Sequence, residues 1–89
     1  MIVDFDKSFA KSLGKIKDQS VLKRIESVIL KLESAERIED LSNIKKLQGH
    51  TAYYRIKVGD YRIGFEKTDA NRLTLIIALH RKDIYNQFP

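Results

Sequence analysis

The chain has 89 residues, of which 43% are hydrophobic and 33% charged, with one proline and four glycines, a balance that predicts one compact folded domain over 1–89. It contains no cysteine, which excludes disulfide frameworks, Cys-ligated zinc, iron–sulfur clusters and thiol catalysis; no apolar run approaches the ~20 residues of a membrane span, so a cytoplasmic protein with no membrane partner is expected. The net charge is +5, and because residues 1–40 carry eight basic and eight acidic side chains, the whole excess lies in the second half, where it would attract a polyanion such as nucleic acid.

Ile2 to Phe5 is a short apolar run that suits a strand. Asp6 can cap a short helix from Lys7 to Leu13, with Phe9 and Leu13 four apart on its buried face and Gly14 as its stop. Val21, Leu22, Ile25, Val28, Ile29 and Leu32 recur at three- and four-residue spacing, which predicts an amphipathic helix over 19–34. The two helices form a hairpin with one apolar side, and that side needs a sheet to cover. Residues 35–52 read as a connecting segment with a turn of helix near Ile38 to Leu41. Tyr53 to Val58 and Tyr61 to Glu66 both alternate around Gly59-Asp60, a strong hairpin signal. Arg72 to His80 is apolar on both faces and is expected as a central strand. Asp83 to Phe88 reads as a tail with one helical turn. The expected fold is therefore α+β in the order β-α-α-β-β-β, a helical hairpin on one face of a small, mostly antiparallel sheet.

The two-residue loop fixes the hairpin register, pairing Val58 with Tyr61, Lys57 with Arg62, Ile56 with Ile63, Arg55 with Gly64, Tyr54 with Phe65 and Tyr53 with Glu66. Tyr54, Ile56, Val58, Tyr61, Ile63 and Phe65 then face the helices. The opposite face carries Arg55, Lys57 and Arg62 around Gly64, flanked by Tyr53. Two cations placed directly opposite cost stability. A mid-strand glycine marks a bulge, the approach of a ligand, or room for a neighbouring side chain. Taken together, the two oddities favour a functional surface. If Leu73, Leu75, Ile77 and Leu79 face the helices, then Thr74, Ile76, Ala78 and His80 share the basic face. Arg81 follows as the strand leaves the sheet, and Tyr85 can fold back over the same surface or anchor the terminus. Cations with aromatic rings suit single-stranded nucleic acid, and they suit phosphodiester cleavage in which a ribose 2′-hydroxyl attacks the adjacent phosphate. Lys45, Lys46, Tyr53 and Lys82 are the expected RNA-binding extensions of that surface.

Lys46-Leu-Gln-Gly49, the hairpin Tyr54-Arg-Ile-Lys-Val-Gly-Asp-Tyr-Arg-Ile63 and Leu79-His-Arg-Lys-Asp-Ile-Tyr85 resemble the RelE/ParE superfamily of toxin–antitoxin toxins over nearly the full chain. The resemblance implies a toxin of a type II system, of either of two kinds. RelE-type members are ribosome-dependent mRNA endonucleases, whereas ParE-type members poison DNA gyrase. Arg55, Lys57, Arg62, Arg81 and Tyr85 match the RelE-type catalytic constellation; Arg62 and His80 are common to both branches, and Arg55, Lys57 and Tyr85 tilt the reading to RelE. Arg55 stands where the enterobacterial form has lysine, and a guanidinium with a pKa above about 12 is a poor proton acceptor, so His80 is the alternative proton-transfer group. The implied partners are a cognate antitoxin, the ribosome and mRNA; no metal or organic cofactor is implied.

Overall fold

A computed structural model of the chain describes residues 1–49 and 52–89. Strand β1 (Ile2–Phe5) leads into helices α1 (Lys7–Gly14) and α2 (Gln19–Ser34), followed by a 3₁₀ turn (Ile38–Asp40). Strands β2 (Ile44–Lys46), β3 (Tyr53–Val58), β4 (Tyr61–Asp69) and β5 (Arg72–His80) come next, and helix α3 (Arg81–Gln87) closes the chain. The sheet runs in the order β1-β5-β4-β3-β2, with β1 parallel to β5 and every other pair antiparallel. The α+β class and the helical hairpin are as the sequence predicts. No helix among the described residues is long and apolar enough to cross a membrane.

Both hairpin helices begin on an aspartate whose carboxylate takes up backbone donors that a helix start leaves unpaired. The Ser8 N–H donates to Asp6 at 3.1 Å, and the Ser20 N–H donates to Asp18 at 2.9 Å. Phe9 of α1 and Ile25 and Leu32 of α2 then pack with Ile56, Val58, Ile63, Phe65, Leu73 and Leu75 into the main core. Gly59 opens the β3–β4 turn at φ +60, a conformation that excludes most side chains. All six pairs of that hairpin stand in the expected register.

Three expectations need correction. First, β2 lies inside the segment read as a connection. It has only three residues and no alternation, and it is recruited by the free edge of β3, with the Lys57 N–H bonded to the Asn43 carbonyl and the Leu47 N–H to that of Tyr53, both at 2.9 Å. Second, the terminal helix is longer than one turn and starts at Arg81. Third, strict alternation fails in β5. Leu75 pairs with Phe65 but Ile77 pairs with Gly64, so Ile76 is a bulge and the parity of the strand reverses there. Ala78 consequently enters the main core opposite Ile63, while Ile77 and Leu79 turn to the other face.

The bulge sits where β1 stops pairing: the Asp6 N–H is bonded to the Leu75 carbonyl at 2.9 Å, and the chain then turns into α1. Two serines four residues apart on α1 take over the exposed edge of β5. Ser8 Oγ donates to the Ile76 carbonyl, and Ser12 Oγ accepts from the Ala78 N–H at 2.9 Å. On the far face of the sheet, Leu47, Ile84 and Phe88 form a second, smaller core with Ile77, Leu79 and Tyr53 packed around it.

Candidate functional site

The face of the sheet turned away from the hairpin helices carries the basic side chains. Alternation along β3 puts Tyr53, Arg55 and Lys57 there, and β4 adds Arg62 opposite Lys57. The unforeseen β2 sets Lys45 opposite Arg55, a second like-charged pair. Asn43, Ile44, Lys45, Arg55, Lys57, Arg62 and Tyr85 line a groove of about 340 Å³, near the lower end of the size range of ligand pockets.

The groove holds four cations, and among the described residues no carboxylate lies within 4.0 Å of any of them; the ion pairs present join Arg37 and Lys67 to Glu39, and Arg72 to Asp4. Arg62 is held back against the hairpin turn, its Nη1 donating to the carbonyls of Gly59 and Tyr61 at 2.9 Å each. Those bonds engage one nitrogen and fix the plane of the guanidinium. The Arg55 guanidinium carbon stands 4.6 Å from the centroid of the Tyr85 ring, a cation–π contact that leaves Tyr85 65% exposed. A positive floor with an aromatic wall can hold a phosphate and stack a base at once.

The other expected residues are distributed more widely. Arg81 begins α3, its backbone N–H bonded at 2.8 Å to the Asp60 carbonyl, so it adjoins the turn that anchors Arg62 while lying outside the groove lining. Lys82 is exposed on the first turn of α3. Lys46 pairs with Tyr54 and lies beside Ile38 and Glu39 in a separate depression. Tyr53 meets Phe88 edge-on at 5.6 Å.

His80 does not share the basic face, because the Ile76 bulge carries it to the other side. It pairs with Tyr61, their rings edge-on at 5.5 Å, and its Nδ1 accepts the Lys82 N–H at 3.2 Å as the cap of α3. Gly64 likewise takes the plainer of its readings. A Cβ there would stand 2.6 Å from the Phe88 ring, so the glycine makes room for the chain's own terminal aromatic.

Sequence reasoning missed Asn43 and Ile44 in the groove and Phe88 above Gly64. Asn43 has φ +66, and asparagine is the side chain besides glycine that most readily takes that conformation, which was the available signal. For Phe88 the signal was the mid-strand glycine.

Comparison with known proteins sets this geometry in a family. Residues 3–85 match the model of the ParE toxin of the type II toxin–antitoxin system parDE. Toxin RelE3 of Methanocaldococcus jannaschii is 42% identical over 92 residues, with the whole of both chains covered. The toxin of the RelB-RelE antitoxin–toxin complex from Methanococcus jannaschii superposes with a TM-score of 0.81 at 36% identity, covering 97% of this chain and 99% of that one. The archaeal RelE-RelB complex from Pyrococcus horikoshii has the same fold, with a TM-score of 0.71 at 20% identity over 90% of this chain and 93% of that one. The chain therefore belongs to the ParE toxin family of type II toxin–antitoxin systems and is a RelE-like toxin.

Proposed function

We propose that the protein is a ribosome-dependent mRNA endonuclease. The observation that carries this reading is the groove in which Lys45, Arg55, Lys57 and Arg62 converge beneath an exposed tyrosine, with no carboxylate among the described residues paired to them. In the reaction the ribose 2′-oxygen attacks the adjacent phosphorus while its proton passes to solvent water, and water returns a proton to the departing 5′-oxygen. The bond from phosphorus to the 5′-oxygen breaks, leaving a 2′,3′-cyclic phosphate and a 5′-hydroxyl. Negative charge accumulates on the phosphoryl oxygens on the way, and fixed cations aimed at those oxygens lower the barrier. Arg62, already oriented by the turn, and Arg55 and Lys57 on the neighbouring strand supply that charge. Tyr85 stacks on a base. Arg81, at the edge of the same turn, serves the departing 5′-oxygen; His80, capping α3 on the other side, acts only through the placement of that helix.

A protein partner follows from the same relatives. The toxin solved with RelB is 36% identical along nearly the whole chain, and we infer a cognate antitoxin here too, one that covers the basic face or displaces the terminal helix.

Primer extension on a reporter mRNA in a reconstituted translation reaction tests the activity. Cuts at in-frame codons should appear only with ribosomes and be lost in Arg62→Ala, with a fall of at least about 100-fold, the order of effect of removing one transition-state donor. Cleavage retained by Arg62→Ala and by Arg81→Ala would falsify the assignment. A second reading rests on the family model itself, which is that of the ParE toxin. In that case translation is unaffected, the charge-face variants stay toxic, and DNA gyrase loses supercoiling activity.

A further inference from the structure

We propose that Phe88 is a positioning residue: seated on Gly64, it fixes α3 so that Tyr85 stands over Arg55. Helix α3 has seven residues, too few to persist without packing. It lies on the sheet face opposite the hairpin helices, and its two buried anchors are Ile84 and Phe88, the latter just past its last turn. They are four apart and form one stripe. Tyr85, next to Ile84, is turned about 100° away from that stripe and toward the groove. One anchor alone leaves the helix free to pivot; the second sets its rotation.

The Phe88 seat is built to shape. The Phe88 ring occupies the space a side chain at position 64 would need, meets Tyr53 edge-on at 88°, and is only 6% exposed. Its N–H is bonded to the Ile84 carbonyl at 2.9 Å, which ties the ring to the end of α3. Gly64 and Arg55 are directly paired across β4 and β3. The seat of Phe88 and the cation under Tyr85 are thus cross-strand neighbours, and α3 spans from one to the other.

The inference extends the endonuclease reading, since Tyr85 is the residue being placed, but its geometric part can be tested alone. The δ-methylene protons of Arg55, next to the guanidinium stacked on Tyr85, should show an upfield ring-current shift in the NMR spectrum of the full chain. Phe88→Ala should remove that shift as completely as Tyr85→Leu does, and Gly64→Ala, which puts a methyl where the ring sits, should do the same. Phe88→Leu should keep most of it. The amide signals of the main core, on the other side of the sheet, should be unmoved in each variant. An Arg55 shift that survives Phe88→Ala overturns the proposal. So does collapse of the whole amide spectrum, which would make Phe88 an ordinary core residue.

Cleavage supplies the second arm. Phe88→Ala should lower kcat/KM by about 10- to 100-fold, the scale of a misplaced contact group, and should cost nothing further when added to Tyr85→Ala. Additive losses would show a general structural effect and overturn the positioning role. If the wild-type protein does not cleave at all, the endonuclease reading fails while the Arg55 shift still decides whether Phe88 places Tyr85.

Discussion

Asp18 accepts hydrogen bonds from both the N–H and the hydroxyl of Ser20, at 2.9 and 2.7 Å, and Asp6 accepts the Ser8 N–H at 3.1 Å, with the single Ser8 hydroxyl proton shared between Asp6 and the Ile76 carbonyl. The serine hydroxyl first, and the backbone N–H second, hold both carboxyls below the usual aspartate range. A carboxylate whose pKa is lower in the folded state stabilises it fully above the unfolded value of about 3.9, and that contribution disappears as the pH falls through the folded value. Asp18→Ala should therefore melt below the wild type at neutral pH, with the difference closing as the pH falls through and below the ordinary aspartate range; a gap that stays constant on acidification would locate the cap's contribution elsewhere. Asp6 was legible in the sequence because a cap and its donors lie two residues apart. The seat of Phe88 on Gly64 was not, because its two halves are far apart in the chain and only the assembled sheet brings them together.

At the scale of elements, β5 shows how far alternation carries. The β3–β4 hairpin could be read pair by pair, since a two-residue loop and a polar-apolar alternation specify one register. In β5 the run Leu75-Ile-Ile77 is apolar on either parity, so the pattern holds no trace of the bulge at Ile76, and the faces assigned to Ala78 and His80 came out reversed. The bulge coincides with a change of neighbour, the α1 serines bonding to the strand where β1 ends. Ser12 is buried and bonds at 2.7 Å to the Phe9 carbonyl as well as to the Ala78 N–H. Ser12→Ala leaves that N–H buried without an acceptor and should cost about 1–3 kcal/mol, measurable as a lower urea midpoint with an unchanged slope. Ser12→Thr, which keeps the hydroxyl, should recover part of the loss.

For the whole molecule the sheet divides the labour. One face is covered by α1 and α2 and holds the main core; the other holds the cationic groove and the small core beneath α3. The charge excess of the second half of the sequence was readable as arithmetic, but its convergence needed β2, which brings Lys45 to the groove and leaves Lys46 on the other side. If the four groove cations meet phosphates of a single strand, the logarithm of affinity for a short RNA should fall with the logarithm of salt concentration at a slope of about −3. Lys57→Ala should make the slope shallower by about 0.7, whereas Lys46→Ala should leave it unchanged. Equal effects from the two lysines would argue for diffuse attraction by the whole surface.

The serine hydroxyls along β5 also bear on how the protein avoids its own kind. A strand whose donors and acceptors are left open is a template for another chain, and a partly apolar strand such as β5 would be a strong one. Here the Ile76 carbonyl and the Ala78 N–H, on the stretch of β5 that outlasts β1, are taken up by a helix of the same chain, and the strands at the two margins of the sheet, β1 and β2, are four and three residues long. Short margins and a partly occupied flank make the sheet a poor seed for aggregation, even while its cationic face stays open to solvent.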